Sequence, residues 1–200
     1  ALAARNVQKL GPLLQDTGAQ AFAADASDLK SVAGLFERVT DGIGEPEIVV
    51  YNAATRARGP LAELDPDAVQ KALTTTAFGG FLVTQQAARR MLPRGHGAIL
   101  FTGATASIKG FAQSAAFAMG KFALRGLAQS AAREFGPKGI HVAHFIIDGA
   151  VRSAQRPETA DKPDGMLDPD AIAQAYIDVL RQPRSAWSQE VELRPWLEHF

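Results

Sequence analysis

Short apolar runs, "EIVVYNAA", "GAILFTGA" and "GIHVAHFIIDGA", alternate along the chain with longer segments whose apolar residues recur every three or four positions. The first pattern belongs to strands buried on both faces, the second to helices with an apolar stripe. Helices are predicted over about residues 7–17, 27–43, 66–92, 115–136 and 168–181. Several carry boundary signals: Ser27 and Asp65 as N-caps, Pro66 and Pro169 at the first helical position, and Gly136 closing a helix ahead of Pro137. Buried strands separated by helices require parallel crossovers, so the pattern predicts a doubly wound α/β sheet, with "EVELRP" as a last edge strand. The segment from Gly149 to Asp168 is rich in proline, charge and small residues and has no sustained period. It reads as a loop, and residues 150–167 are placed to act as a flexible substrate lid.

Composition narrows the partners. Two hundred residues, 46% apolar and 21% charged, suffice for one compact domain, assigned to residues 1–200. The formal charge is zero and the basic residues are scattered, which argues against nucleic acid. No apolar run approaches the roughly 20 residues that span a bilayer, and no signal peptide opens the sequence, so no membrane partner and a cytoplasmic location are expected. The absence of cysteine excludes disulfides and thiolate chemistry. The opening "ALAARN" reads as the second half of a strand, and a preceding strand, turn and helix are expected outside these 200 residues.

In open parallel sheets, ligands bind beyond the carboxyl ends of the strands. Those ends are Arg5-Asn6, Asp25-Ala26, Asn52-Ala53-Ala54, Gly103 to Ser107, and Asp148-Gly149. Here the chain resembles the classical short-chain dehydrogenase/reductase family along essentially its whole length. "YNAA" stands where that family has Asn-Asn-Ala-Gly, "FAMGK" where it has Tyr-x-x-x-Lys, and "IDGAVRS" where it has Pro-Gly-x-Val-x-Thr. The resemblance implies a Rossmann-like fold, a nicotinamide cofactor and hydride transfer to or from a carbonyl, alcohol or conjugated small molecule. It also implies cofactor contacts from Arg5, Asn6, Asp25, Ala26, Asn52, Ala53, Ala54, Lys121, Asp148, Gly149, Val151 and Ser153. Ala150 and Arg152 are weaker candidates. Arg5 sits where a guanidinium would match a 2′-phosphate, which points to NADP over NAD; the alternative is a solvated residue at a helix entrance. Asp25 contacts the adenine, caps the next helix, or both. Asp148, in place of the proline, holds the carboxamide, serves as a base, or caps the loop, and the cap is preferred.

The chain departs from the family in two places. The glycine-rich turn that brings backbone amides to the cofactor pyrophosphate is not in the sequence. Three of four catalytic positions differ as well. Lys121 is present, but Phe117 replaces the tyrosine and has no proton to exchange. Ala104 replaces the serine thirteen positions earlier, with Thr105 and Ser107 as the nearest hydroxyls, and Thr76 of "TAFG" takes the place of the relay asparagine. Three readings follow: a displaced group such as Thr105, Ser107 or a water transfers the proton; the chemistry needs no tyrosine; or the domain is a catalytically silent nucleotide-binding or scaffold protein.

Other constellations are weaker. "GATASIKG" lacks the nucleophile elbow of a hydrolase. His141 and His144 lie three apart on a strand, so they point to opposite faces and form no metal pair. Helices 66–92 and 115–136 are apolar on more than one face, which together with the resemblance predicts a homodimer or homotetramer. Trp187 and Trp196 are expected to anchor the C-terminal tail by packing.

Overall fold

A computed structural model describes residues 1–197; the last three residues of the single-domain assignment, 198–200, lie outside the described residues. Six strands and six α-helices alternate: β1 (Leu2–Ala4), α1 (Gly11–Thr17), β2 (Ala21–Ala23), α2 (Leu29–Gly42), β3 (Ile48–Tyr51), α3 (Pro66–Leu73), α4 (Gly79–Met91), β4 (Gly97–Thr102), α5 (Ala115–Phe135), β5 (Ile140–Ile147), α6 (Pro169–Leu180) and β6 (Glu190–Leu193). Every strand pairing is parallel.

One sheet runs β3-β4-β5-β6, and β1 pairs with β2 in a second. The doubly wound parallel arrangement read from the sequence is present as these two parallel sheets, and β1 and β3 each keep an edge that pairs with no other described strand. Half of Ile48 and of Val50 on β3 is exposed as a result. β5 lies between β4 and β6 and is buried at all eight positions. Its alternate side chains feed two cores. Ile140 and Val142 join Leu82, Met91, Ile99, Phe101 and Leu124 beneath α4 and α5. Ala143, Phe145 and Ile147 join Leu100 and Val179 beneath α6.

The helix starts follow local chemistry, with corrections. The Asp65 carboxylate accepts from the backbone N–H groups of Asp67 and Ala68, ahead of Pro66, and Asp168 does the same for Asp170 ahead of Pro169. Ser27 is not the N-cap of α2; Asp28 is, and the Ser27 hydroxyl instead donates to Asp25 at 2.6 Å. The predicted helix 7–17 begins as a 3₁₀ turn over Val7–Leu10. The long helix predicted over 66–92 is interrupted by a π-helical segment, Thr74–Phe78, joining α3 to α4. Gly79 and Gly80 follow it because no side chain fits: a Cβ on Gly79 would stand 2.5 Å from the Ala26 carbonyl and the Tyr51 hydroxyl. Trp187 packs flat on His141, with ring centroids 4.5 Å apart, whereas Trp196 is 75% exposed and donates to the Pro163 carbonyl. Among the described residues, no helix is long and apolar enough to cross a membrane.

Candidate active site

The carboxyl ends of β3, β4 and β5 open into a cavity of about 820 Å³. Thr102, Gly103 and Ala104 form its floor, Phe117 and Lys121 enter from the first turns of α5, and Ile172, Tyr176 and Ile177 of α6 close the opposite wall. The four-residue spacing on α5 puts Phe117 and Lys121 on one helix face. Both are buried, with the Lys121 ammonium 5.7 Å from the Phe117 ring centroid.

Among the described residues, Lys121 is held by one hydrogen bond, from Nζ to the Thr102 carbonyl at 2.6 Å. Burial, assisted by the nearby Arg56 charge, pulls its pKa down to about 8. An ammonium carries three donors, so two remain directed at whatever occupies the cavity. At the same end, Gly149 has φ 148°, a conformation that side-chain-bearing residues rarely adopt, and lines the cavity with Val151.

The hydroxyls singled out in the sequence lie elsewhere. Ser107 has no exposed surface: its Oγ accepts from the Ala104 N–H at 3.1 Å and lies 3.4 Å from His144 Nε2. The other ring nitrogen of His144 is 3.4 Å from Glu190, which is itself clamped by Arg125 through two bonds of 2.6 and 2.7 Å. Burial holds the His144 pKa well below its ordinary value, so the ring is neutral at pH 7. Gly103 is required beside this ring, because a Cβ there would collide with it and come 2.7 Å from the Phe145 carbonyl. Thr105 belongs to the same short turn and does not line the cavity. Thr76 is buried in the π segment, where its hydroxyl accepts from the Thr55 N–H at 3.3 Å. It braces the loop after β3 from outside the cavity.

A family model described as enoyl-(acyl carrier protein) reductase matches residues 1–177. The chain belongs to the short-chain dehydrogenase/reductase family. A short-chain dehydrogenase from Rhodopseudomonas palustris is 36% identical and superposes with a TM-score of 0.81 over 97% of this chain and 85% of its own. Human 17-beta-hydroxysteroid dehydrogenase type 1 is 35% identical over 72% of this chain and 43% of its own length. A 3alpha-hydroxysteroid dehydrogenase from Mediterraneibacter gnavus is 28% identical over 86% of this chain and 72% of its length. The chain spans about half the length of the first of these curated relatives.

Within this dehydrogenase/reductase fold, the expected nucleotide contacts separate into two groups. Asn52, Ala54, Lys121, Gly149 and Val151 gather at the cavity, with Ala53 packed beneath them against the core. Arg5, Asn6, Asp25 and Ala26 lie at the ends of β1 and β2, outside it. There Asn6 caps the turn that follows, accepting from the Gln8 N–H at 3.1 Å, and Ala26 packs on Gly79. Ser27, with help from Arg5, holds the Asp25 carboxyl below its usual range. The Asp148 carboxylate points away from the cavity into an ion pair with Arg194 at 2.7 Å, and is 2% exposed. Ser153 accepts from the Arg156 N–H at 3.2 Å within its own turn. The 150–167 loop is tethered at both ends by the Val151–Leu167 bridge and the Arg152–Asp168 ion pair at 2.7 Å.

The residues at the cavity fit the nicotinamide end of a dinucleotide: spare donors on Lys121, a positive-φ glycine at Gly149 and the Asn52 side chain. The sequence reading passed over Arg56, Thr102, Arg156 and Tyr176, which also line it. Arg56 had a signal, a cation four residues past Asn52 in the strand-end run "YNAATRAR". Tyr176 had none, since its hydroxyl reaches the cavity through a bond of 2.8 Å to Thr102 that only the folded chain creates.

Proposed function

We propose that this protein is an NADP-dependent oxidoreductase in which Lys121, rather than a tyrosine, holds the exchangeable proton. The observation that carries this reading is the buried Lys121 ammonium, with one partner, a pKa near 8 and a cavity in front of it. The bound nicotinamide supplies or accepts hydride. Lys121 positions the ribose hydroxyls and keeps a proton at Nζ beside the reacting oxygen or carbon. A proton donor works best when its pKa lies near the working pH. Neither Tyr176, pushed up to about 12 by burial, nor Ser107, sealed behind His144, meets that condition. The substrate is a small carbonyl, alcohol or conjugated molecule resting on the apolar wall of α6. NADP is preferred to NAD because Arg5 follows β1 with no acidic residue beside it in sequence.

The protein works as a homodimer or homotetramer. Exposed Phe78 and Phe81, stacked 6.0 Å apart, and exposed Met119 and Phe122 leave an apolar surface on α5 and on α4 with the π segment before it. Light scattering reads the assembly directly.

Fluorescence titration with NADPH and NADH, followed by turnover of an aldehyde panel, tests the reading. NADPH binds more tightly than NADH, and reduction follows a proton with a pKa near 8. Failure of both nucleotides to bind overturns the oxidoreductase reading; binding without any turnover makes the protein a nucleotide-binding scaffold.

A further inference from the structure

The cavity carries an unbalanced charge. Arg56, Lys121 and Arg156 line it, and no aspartate or glutamate does among the described residues. Acidic side chains nearby are engaged elsewhere: Asp168 and Glu158 with Arg152, and Asp148 and Glu192 with Arg194. Among the described residues the side chains of Arg56 and Arg156 make no ion pair or hydrogen bond, and burial first, then the charges of Arg58 and Arg156, disfavour protonation of Arg56. Mutual repulsion of this kind costs free energy in the empty site and is relieved when an anion enters.

Phe117 gives this cluster its shape. The Arg56 guanidinium sits over the Phe117 ring, 4.1 Å from its centroid, so an apolar face supports a cation where family members carry a hydroxyl. A guanidinium presents a planar fork that matches a carboxylate through two parallel bonds. Its position at the substrate end, over Phe117 and beside Ala104, is apart from Arg5, where the adenosine phosphate is expected.

Resting on the oxidoreductase reading, the geometry points to an anionic substrate: a carbonyl or alcohol compound whose carboxylate is gripped by Arg56 and Arg156 on the Phe117 platform. The apolar wall of Ile172 and Ile177 receives the rest of the molecule.

The test uses 4-formylbenzoate and its neutral isostere 4-formylbenzamide, titrated calorimetrically into the protein with and without NADPH. The carboxylate binds about tenfold or more tightly than the amide, the value of a charge-assisted bidentate contact. Arg56→Gln abolishes the preference, Arg156→Gln weakens it about threefold, and Arg56→Lys retains part of it, while the NADPH dissociation constant stays within about twofold. Equal affinity for the two compounds overturns the proposal. So does a loss of NADPH affinity in the arginine variants with the benzoate preference intact, which would assign the guanidinium pair to the nucleotide. A preference for the carboxylate in a protein that fails to bind NADPH supports the anion site and removes the oxidoreductase reading instead.

Discussion

Two polar clusters flank the end of β4, and they are built on opposite terms. Behind Gly103, Ser107, His144, Glu190 and Arg125 form a linked series in which the ring is held neutral, its Nε2 at Ser107 and its Nδ1 3.4 Å from Glu190 without a hydrogen bond. In front of it, Arg56, Lys121 and Arg156 face a cavity with few partners among themselves. A side chain that is satisfied by the fold contributes to stability, whereas one left with spare donors in a pocket is available to a ligand. Ser107, one of the two hydroxyls nearest in sequence to Ala104, belongs to the first class. Proximity in sequence to a catalytic position therefore says little about which cluster a residue joins.

Substitutions separate the clusters. Lys121→Met has the largest expected effect, a loss of about 100-fold or more in turnover, because it removes the proton and the ribose contact together. The same change leaves the melting temperature unchanged or higher, since a charge buried against its preference is gone. His144→Ala does the reverse: about 2–4 kcal/mol of stability is lost in denaturant unfolding, and NADPH affinity persists in the folded fraction. A drop in nucleotide affinity as large as that of Lys121→Met would dissolve the distinction.

The pH dependence of reduction sharpens the contrast further. Lys121 must be protonated to donate, so the rate is flat below pH 8 and falls about tenfold per unit above it, while oxidation, which needs the free amine, rises up to pH 8 and is flat above it. Stability changes in a different window: between pH 8 and the ordinary lysine value of 10.5 the unfolded chain retains a proton that the folded one has released, so stability increases with pH. Ser107→Ala has the smallest effect, about 1 kcal/mol of stability and less than about a threefold change in turnover. A 100-fold loss of turnover would return Ser107 to the catalytic set.

Much of this arrangement was legible in the sequence because it is local. Asp65-Pro66 and Asp168-Pro169 mark helix starts through bonds spanning two or three residues, and the Phe117–Lys121 spacing defines a helix face. The strand ends likewise located the cavity through Asn52, Ala104 and Gly149. What escaped depends on contacts between distant segments. Glu190 meets Arg125 across 65 positions, Tyr176 meets Thr102 across 74, and Asp148 meets Arg194 across 46. Phe117 showed that an acid was lost, but its service as a shelf for Arg56 depends on how the loop after β3 folds back.

The π segment between α3 and α4 acts as a phase shifter. Each residue advances an α-helix by about 100°, so the wider turn over Thr74–Phe78 rotates everything after it relative to the α3 register. That offset lets one continuous rod present Ala72 to the core before the turn, and Leu82, Ala87 and Met91 after it, while Phe78 and Phe81 face outward. Deleting one residue there would let the turn close into ordinary α-helix with the downstream stripe still on β4, whereas the same deletion one turn later would swing that stripe away as a key is turned out of its wards.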